Sequence, residues 1–443
     1  MNKKISNILA SILFCVFPYI TNCYANDANE WGVKTPTEIS VNNNKFWFME
    51  DSNTQLIHII IGFKYSGSAY QSIDKISVPA LFAFSMLCGA GKYSTVKLKN
   101  KISELSLSIN TQVSLDNFYI SISMPLINKD EGIQLIMDIL GNPKFEENEV
   151  KKIQQSAYGL QDYADNPAGC IASTLAPAII FKDHPYNRGT YGTTENMLKL
   201  SIDDLRNFHK NFLTQKNCVC YIGGNISQND ATELFEKITK ALSQGNIADE
   251  VKNTEVKLNN SIVNYYADGT QTTIAFVLKN VPTNSKQRYA ARLLFRILGE
   301  NYCFKGRILS ILRSQKGLIY SGGVRLYDAN HSNYAIGYLW VANNKVNESI
   351  KVTKEILADL CNKGITQEEL DFAKSNYIGT LATQLRSSLN LSLFFFANHL
   401  VGKPISCLND TLLEIEKVAL NDVNTLAKNL FKDVTFIVIG GAK

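Results

Sequence analysis

Apolar positions along this chain follow two rhythms. Short apolar runs bounded by turn residues read as strands: Glu38 to Val41 and Lys45 to Met49 flank Asn42-Asn43-Asn44, and Gln55 to Tyr65 follows Asp51-Ser52-Asn53. Stretches with apolar residues three and four apart read as helices: Ser77 to Cys88, stopped by Gly89-Ala90-Gly91, then Thr95 to Leu107. Ser114 to Pro125 contains an alternating strand. Helical patterning dominates from Lys129 to Phe212, and an apolar strand from Cys218 to Ile222 ends at Gly223-Gly224.

The second half repeats this plan. Asp204 to Leu213 leads to Val219-Cys220-Tyr221-Ile222-Gly223-Gly224, and Asp422 to Phe431 leads to Phe436-Ile437-Val438-Ile439-Gly440-Gly441. Gln55 and Gln271 each open an apolar strand that is followed by a helix and a glycine stop. A repeat of this length outranks local propensity in deciding the fold. The expected class is therefore α+β, with two homologous halves, each a mostly antiparallel sheet with helices on one face. Ser243 to Ser261 is polar and rich in asparagine, as a linker would be. The expected division is a leader at 1–25, one half at 26–242, the linker at 243–261 and the other half at 262–443.

Composition adds a compartment. Lys3 and Lys4 precede an apolar run from Ile5 to Ile20, and Cys23-Tyr24-Ala25 offers a small-residue exit, which together read as a secretory signal peptide cleaved after Ala25. Lipidation at Cys23 is a minor alternative, since Asn22 makes a poor lipoprotein box. The mature chain is then exported, periplasmic or secreted. No further run approaches the roughly 18 apolar residues of a membrane span. Loss of Lys3 and Lys4 takes the formal charge from +5 to +3, too near neutral to argue for nucleic acid. Seven cysteines remain, an odd number without a CxxC pair, which argues against a zinc ribbon or a disulfide framework; a single disulfide stays open. Cys218 and Cys220 read as packing residues, and His58, inside an apolar strand, as a satisfied core histidine.

One stretch carries candidate chemistry: Leu312-Arg313-Ser314-Gln315-Lys316-Gly317-Leu318-Ile319-Tyr320-Ser321. An amphipathic helix pattern from Arg307 to Leu312 precedes it, Gly317 suits a helix stop, and a strand opens at Leu318. Arg313 and Tyr320 thus flank one tight turn, where a guanidinium fork and a phenol can both hydrogen-bond a peptide carbonyl. Arg in a last helical turn and Tyr in a strand are also ordinary structural choices.

This run resembles the C-terminal-domain signature of the pitrilysin/insulinase-type and mitochondrial-processing-peptidase-like metallopeptidases, the M16 family. His184-Pro185-Tyr186, Gly192-Thr193-Thr194-Glu195-Asn196 and the Ser201–Asp204 capping pattern resemble that family's first half. The resemblance implies duplicated α/β-sandwich halves of the kind shared by LuxS and M16 peptidases. It also implies that Arg313 and Tyr320 bind the backbone of a peptide substrate.

The zinc motif is missing. An active member carries HxxEH, two histidines on one helix face that hold zinc and a glutamate that activates water. The five histidines here, His58, His184, His209, His331 and His399, lie more than twenty residues apart. On the resemblance the motif falls on Ala80 to Phe84, with Ala80 and Phe84 at the ligand positions and Ala83 at that of the glutamate, so this helix is expected simply to pack. Lys151 to Gln161, where the distal glutamate ligand would lie, holds no acidic residue, and Asp162 alone makes no site. The resemblance therefore implies a non-catalytic subunit, inactive alone and without a cofactor of its own. It would form a heterodimer with an HxxEH-bearing homologue that carries the zinc. The alternative is a stand-alone exported peptide-binding or scaffold protein on the same fold.

Overall fold

The computed structural model describes residues 34–156, 166–245, 251–301 and 303–441. The expected leader at 1–25, Asp162 and residues 246–250 of the expected linker lie outside them. Two sheets form the frame. The first runs β1-β2-β6-β3-β5-β4, with β1 Thr37–Val41, β2 Asn44–Glu50, β3 Leu56–Phe63, β4 Ser108–Val113, β5 Phe118–Pro125 and β6 Cys218–Gly224. The second runs β7-β11-β8-β10-β9, with β7 Ile262–Tyr266, β8 Gln271–Lys279, β9 Ile319–Asp328, β10 Asn333–Ala342 and β11 Thr435–Gly440. Leaving out β1, the two orders correspond strand for strand. All pairs are antiparallel except β2 with β6 and, in the same place, β7 with β11. β4 is a strand that hydrophobic patterning did not show: Ser-Ile-Asn-Thr-Gln-Val is a polar edge strand bonded on one side only, to β5.

Each half packs its own helices on one face of its sheet. In the first half these are α1 Val78–Ser85, α2 Thr95–Glu104, α3 Lys129–Gly141, α4 Glu147–Ser156, α5 Ile202–Phe212 and α6 Gln228–Ala241. The second half uses α7 Arg288–Leu298, α8 Val346–Asn362, α9 Gln367–Gln384 and α12 Leu420–Leu430 in this way, with Ile415 of α11 Cys407–Lys417; its remaining helix, α10 Ser388–Leu400, packs elsewhere. Both copies of the repeated helix–strand unit fold alike: α5 leads to β6 and α12 to β11. The expected capping box forms at Ser201/Asp204, and a second forms at Thr366/Glu369. Cys218 and Cys220 pack on the first core, and the seven cysteines of the described residues are free thiols. No helix among the described residues is long and apolar enough to cross a membrane.

The opposite faces of both sheets are also apolar, and each is covered by the other half. On the back of the first sheet, Trp47, Met49, Ile60, Val219 and Tyr221 pack against Leu391, Phe395 and Phe396 of α10 and against Cys407, Leu408 and Leu412 of α11. On the back of the second sheet, Ala275, Val277, Tyr334, Ile336, Ile437 and Ile439 pack against Ile171, Leu175, Ala176, Ile180 and Phe181, from segment 167–181 of the first half. The halves thus exchange helical cover. Strand alternation sets this up in β3, where Ile57, Ile59 and Ile61 face their own helices while His58, Ile60 and Gly62 face α10. His58 is buried and satisfied, between Ser123 Oγ at 3.3 Å and Ser388 Oγ at 3.0 Å. A polar tie joins the halves as well: the buried Asp116 carboxylate accepts from Tyr186 Oη at 2.6 Å and from the Asn330 N–H at 2.9 Å.

Gly62 is needed for this contact. A Cβ there would lie 2.4 Å from Phe396 Cζ, and Phe396 is itself hemmed in by Tyr119 and Tyr221. Gly62→Ala is expected to cost about 1–3 kcal/mol by overpacking. Phe396→Leu should recover part of that loss, seen as favourable coupling in a double-mutant cycle of denaturant unfolding. Additive effects of the two changes would contradict the close approach.

Candidate functional site

Arg313 and Tyr320 come together across the Gly317 turn. The helix before the turn is not α-helical: Ile308–Gln315 is a π-helix, closed by Lys316 N–H to Ile311 O at 3.0 Å. The apolar positions Ile308, Leu309 and Leu312 are buried in the second core, a pattern that periodicity alone reads as α. Gly317 has φ +59° with no atom within 4 Å of the position a Cβ would take, so it is there for its backbone conformation. Lys345 Nζ holds the turn, donating to Gly317 O at 2.7 Å.

Beyond the turn, Ile319 faces Val341 and Ser321 faces Trp340, so Tyr320 is the extra residue of a β-bulge on edge strand β9. A bulge re-aims a side chain away from the regular alternation. Tyr320 accordingly stands 76% exposed. The Arg313 guanidinium lies 5.7 Å from the Tyr320 ring centre and 5.2 Å from that of Phe304, itself an exposed ring. It makes no hydrogen bond or ion pair among the described residues, and its position against two rings is one cations favour. Two irregularities of a kind that recur at functional sites therefore bracket one turn. Phe304 was not legible beforehand, since it sits in a turn outside any periodic pattern.

Arg307, immediately before the π-helix, anchors it. Its Nε and Nη2 donate to the two carboxylate oxygens of Glu369 at 2.8 and 2.9 Å, Nη1 to Asp359 at 2.9 Å, and Nη2 also to Gly364 O at 2.9 Å. Such a fork fixes position as well as charge. Glu369 caps α9 through Thr366 and is also the partner of Arg307. Burial acts to raise the Glu369 carboxyl, but Arg307 and the Thr366 cap outweigh it and hold it below its ordinary 4.5. A carboxyl depressed in the fold contributes stability above its ordinary range and loses it as pH falls through the folded value.

The positions onto which the resemblance places the missing zinc motif lie on α1, in the first half. Ala80 is fully buried and Ala83 nearly so, while Thr111 Oγ1 donates to Ala83 O at 2.9 Å. Phe84 departs from the expected packing: it is 37% exposed, its ring centre 6.0 Å from that of Tyr191. Methyl and phenyl groups carry no lone pair, so these residues do not fit a zinc ion. Gln154, on the stretch expected to lack the distal ligand, donates to Met197 O and Leu200 O, a structural role.

Residues 199–377 match the family described as the peptidase M16 inactive domain. The chain is 24% identical over 393 residues to a Helicobacter pylori protein named non-peptidase homolog YmxG, covering 87% of this chain and 89% of that one. It is 25% identical over 340 residues to zinc protease PqqE of the same organism, covering 73% of each. The solved peptidase M16 inactive domain from Pseudomonas fluorescens superposes with a TM-score of 0.83 at 19% identity, over 93% of this chain and 98% of that one. Likeness at that identity establishes a shared fold.

Two outcomes are expected of substitutions here. Arg307→Met leaves Glu369 and Asp359 without their common partner and should cost about 3 kcal/mol at neutral pH. The deficit should shrink as pH falls below about 4.5; denaturant melts across pH check this, and a pH-independent deficit would contradict the tie. On α1, Ala80→His and Ala83→Glu should each cost roughly 1–3 kcal/mol, because buried polar groups gain no partner. Phe84→His should stay within about 1 kcal/mol, being partly exposed. Equal effects at all three positions in thermal melts would contradict this ordering.

Proposed function

We propose that this chain, an M16-family protein without the HxxEH motif, is a non-catalytic subunit that presents Arg313 and Tyr320 to an extended peptide held in the zinc site of a partner chain. The observation that carries this reading is the unpaired Arg313 guanidinium, set beside the exposed Tyr320 hydroxyl by a π-helix and a β-bulge. Both groups donate hydrogen bonds, and neither is consumed by the fold in the way Arg307 is. The partner's metal would polarise the scissile carbonyl. Holding the peptide in register is a separate requirement, which oriented donors on rigid elements meet.

The comparisons support a division of labour. Helicobacter pylori has relatives of this chain named as a non-peptidase homolog and as a zinc protease. The zinc-bearing partner would be an exported homologue of that second kind, paired with this chain as a heterodimer in the periplasm or outside the cell, as the leader at 1–25 implies.

Reconstitution with the zinc-bearing partner, followed by peptidase assays, tests the proposal. Arg313→Ala and Tyr320→Phe should each lower kcat/KM of the pair by the equivalent of roughly 1–3 kcal/mol. Arg313→Lys should restore only part, since an ammonium lacks the planar fork. Assembly should survive all three changes. Full activity in the Arg313→Ala/Tyr320→Phe double mutant would overturn the substrate-holding role.

A further inference from the structure

Between the start of α7 and the turn that ends α10 lies a cavity of about 290 Å³. Three cations line it, Arg288, Arg292 and Lys403, against a single carboxylate, Asp328. That carboxylate is already engaged. Arg292 donates to Asp328 at 3.2 Å and to Glu300 at 3.0 Å, and the Asn333 amide donates to the other Asp328 oxygen at 2.9 Å.

The remaining two cations have no anionic partner among the described residues. Arg288 stacks on the Tyr289 ring at 4.2 Å, and its hydrogen bonds go to neutral oxygens, Ser285 O at 3.2 Å and Tyr289 Oη at 2.9 Å. The Lys403 ammonium makes no hydrogen bond or ion pair among the described residues. The chain nevertheless places it in the cavity: Gly402, at φ +77°, turns the backbone after α10, and Lys403 N–H donates to Asn398 O at 2.9 Å. Burial disfavours its charged form, as do Arg292 and Arg288; only Asp328 and, less, Cys407 oppose them. A half-buried cation beside two arginines is unfavourable on its own, and an anion among them would reverse that.

We propose that this cavity binds a compact multivalent anion, a phosphate group or a di- or tricarboxylate, held by Lys403 and Arg288 with the Tyr289 hydroxyl as a further donor. The volume suits a group of that size. A larger polar cavity of about 700 Å³ shares Asn280, Thr283 and Val401 with it, which leaves room for a polar substituent on the anion. The bound anion bridges the start of α7, in the second core, to the end of α10, the helix that covers the first sheet. It therefore fixes α10 to its own half, from which that helix reaches across the first sheet, independently of any role in holding peptide.

The test uses the full chain in thermal unfolding and titration calorimetry, with inorganic phosphate and with citrate, each against chloride at matched ionic strength. Phosphate, citrate or both should raise Tm by a few degrees once well above Kd. A response to phosphate alone assigns a phosphate ligand, and a response to citrate alone a carboxylate. Lys403→Met and Arg288→Gln should each weaken Kd by about tenfold or more. Without anion, Lys403→Met should melt no lower than the native chain, because it removes an unpaired charge. Should Lys403→Met fail to fold, that expectation is contradicted, and Arg288→Gln still reads the site. Equal melting in all three salts, or an unchanged Kd in the folded variants, would overturn the proposal.

Discussion

The packing of α10 across the back of the first sheet, matched by segment 167–181 across the back of the second, is the contact on which the rest of the architecture depends. Both sheets are apolar on two faces, and each half brings its own helices to only one of them. Separated halves would expose Trp47, Ile60, Tyr221, Val277 and Ile336 to water, at about 25 cal/mol for each Å² of apolar surface. The duplicated plan is thus not two independent units. The halves meet closely where Gly62 lies under Phe396.

Because the frame is fixed in this way, irregular backbone can be tolerated locally. The π-helix that carries Arg313 and the bulge that carries Tyr320 both depart from the most favourable geometry. Their neighbours hold them there: Arg307 is tied to α8 and α9 through Asp359 and Glu369, and Lys345 clamps the Gly317 carbonyl. The resulting side chains are a cation resting on two rings and a phenol in solvent. The first half shows the complementary condition. On α1, where the proposed reading places the missing zinc motif, methyl groups pack into the core and a phenyl ring sits at its rim.

Much of this was legible in the sequence, and the reasons for the rest are specific. The helix–strand units ending at Gly223-Gly224 and Gly440-Gly441 announce the duplication because apolar runs and glycine stops survive in both. Arg313, Gly317 and Tyr320 announce a turn through residue type alone. β4 escaped because its inward positions, Ile109, Thr111 and Val113, are only half-buried and one of them is polar, so the alternation is weak. The π-helix escaped because Ile308, Leu309 and Leu312 fit either helical period. The bulge at Tyr320 is a matter of cross-strand register, which one strand's sequence does not contain. The exchange of cover left one trace, the run Phe394-Phe395-Phe396, too apolar for a helix with a single buried face. Phe304 and Arg307 act through residues distant in sequence, so no local pattern marks them.

The central claim, that the Arg313 turn faces a peptide lying in a partner's zinc site, is tested most directly by photo-crosslinking. A photoreactive side chain at position 304, exposed beside Arg313, would be carried by the full-length chain and mixed with an extended peptide. The partner would be present, absent, or inactivated at its HxxEH glutamate so that it still binds but does not cleave. The account predicts crosslinks from position 304 to peptide that require the partner and are strongest with its inactivated form. Crosslinks that are equally strong without the partner, or that appear only to the partner's outer surface, would contradict it.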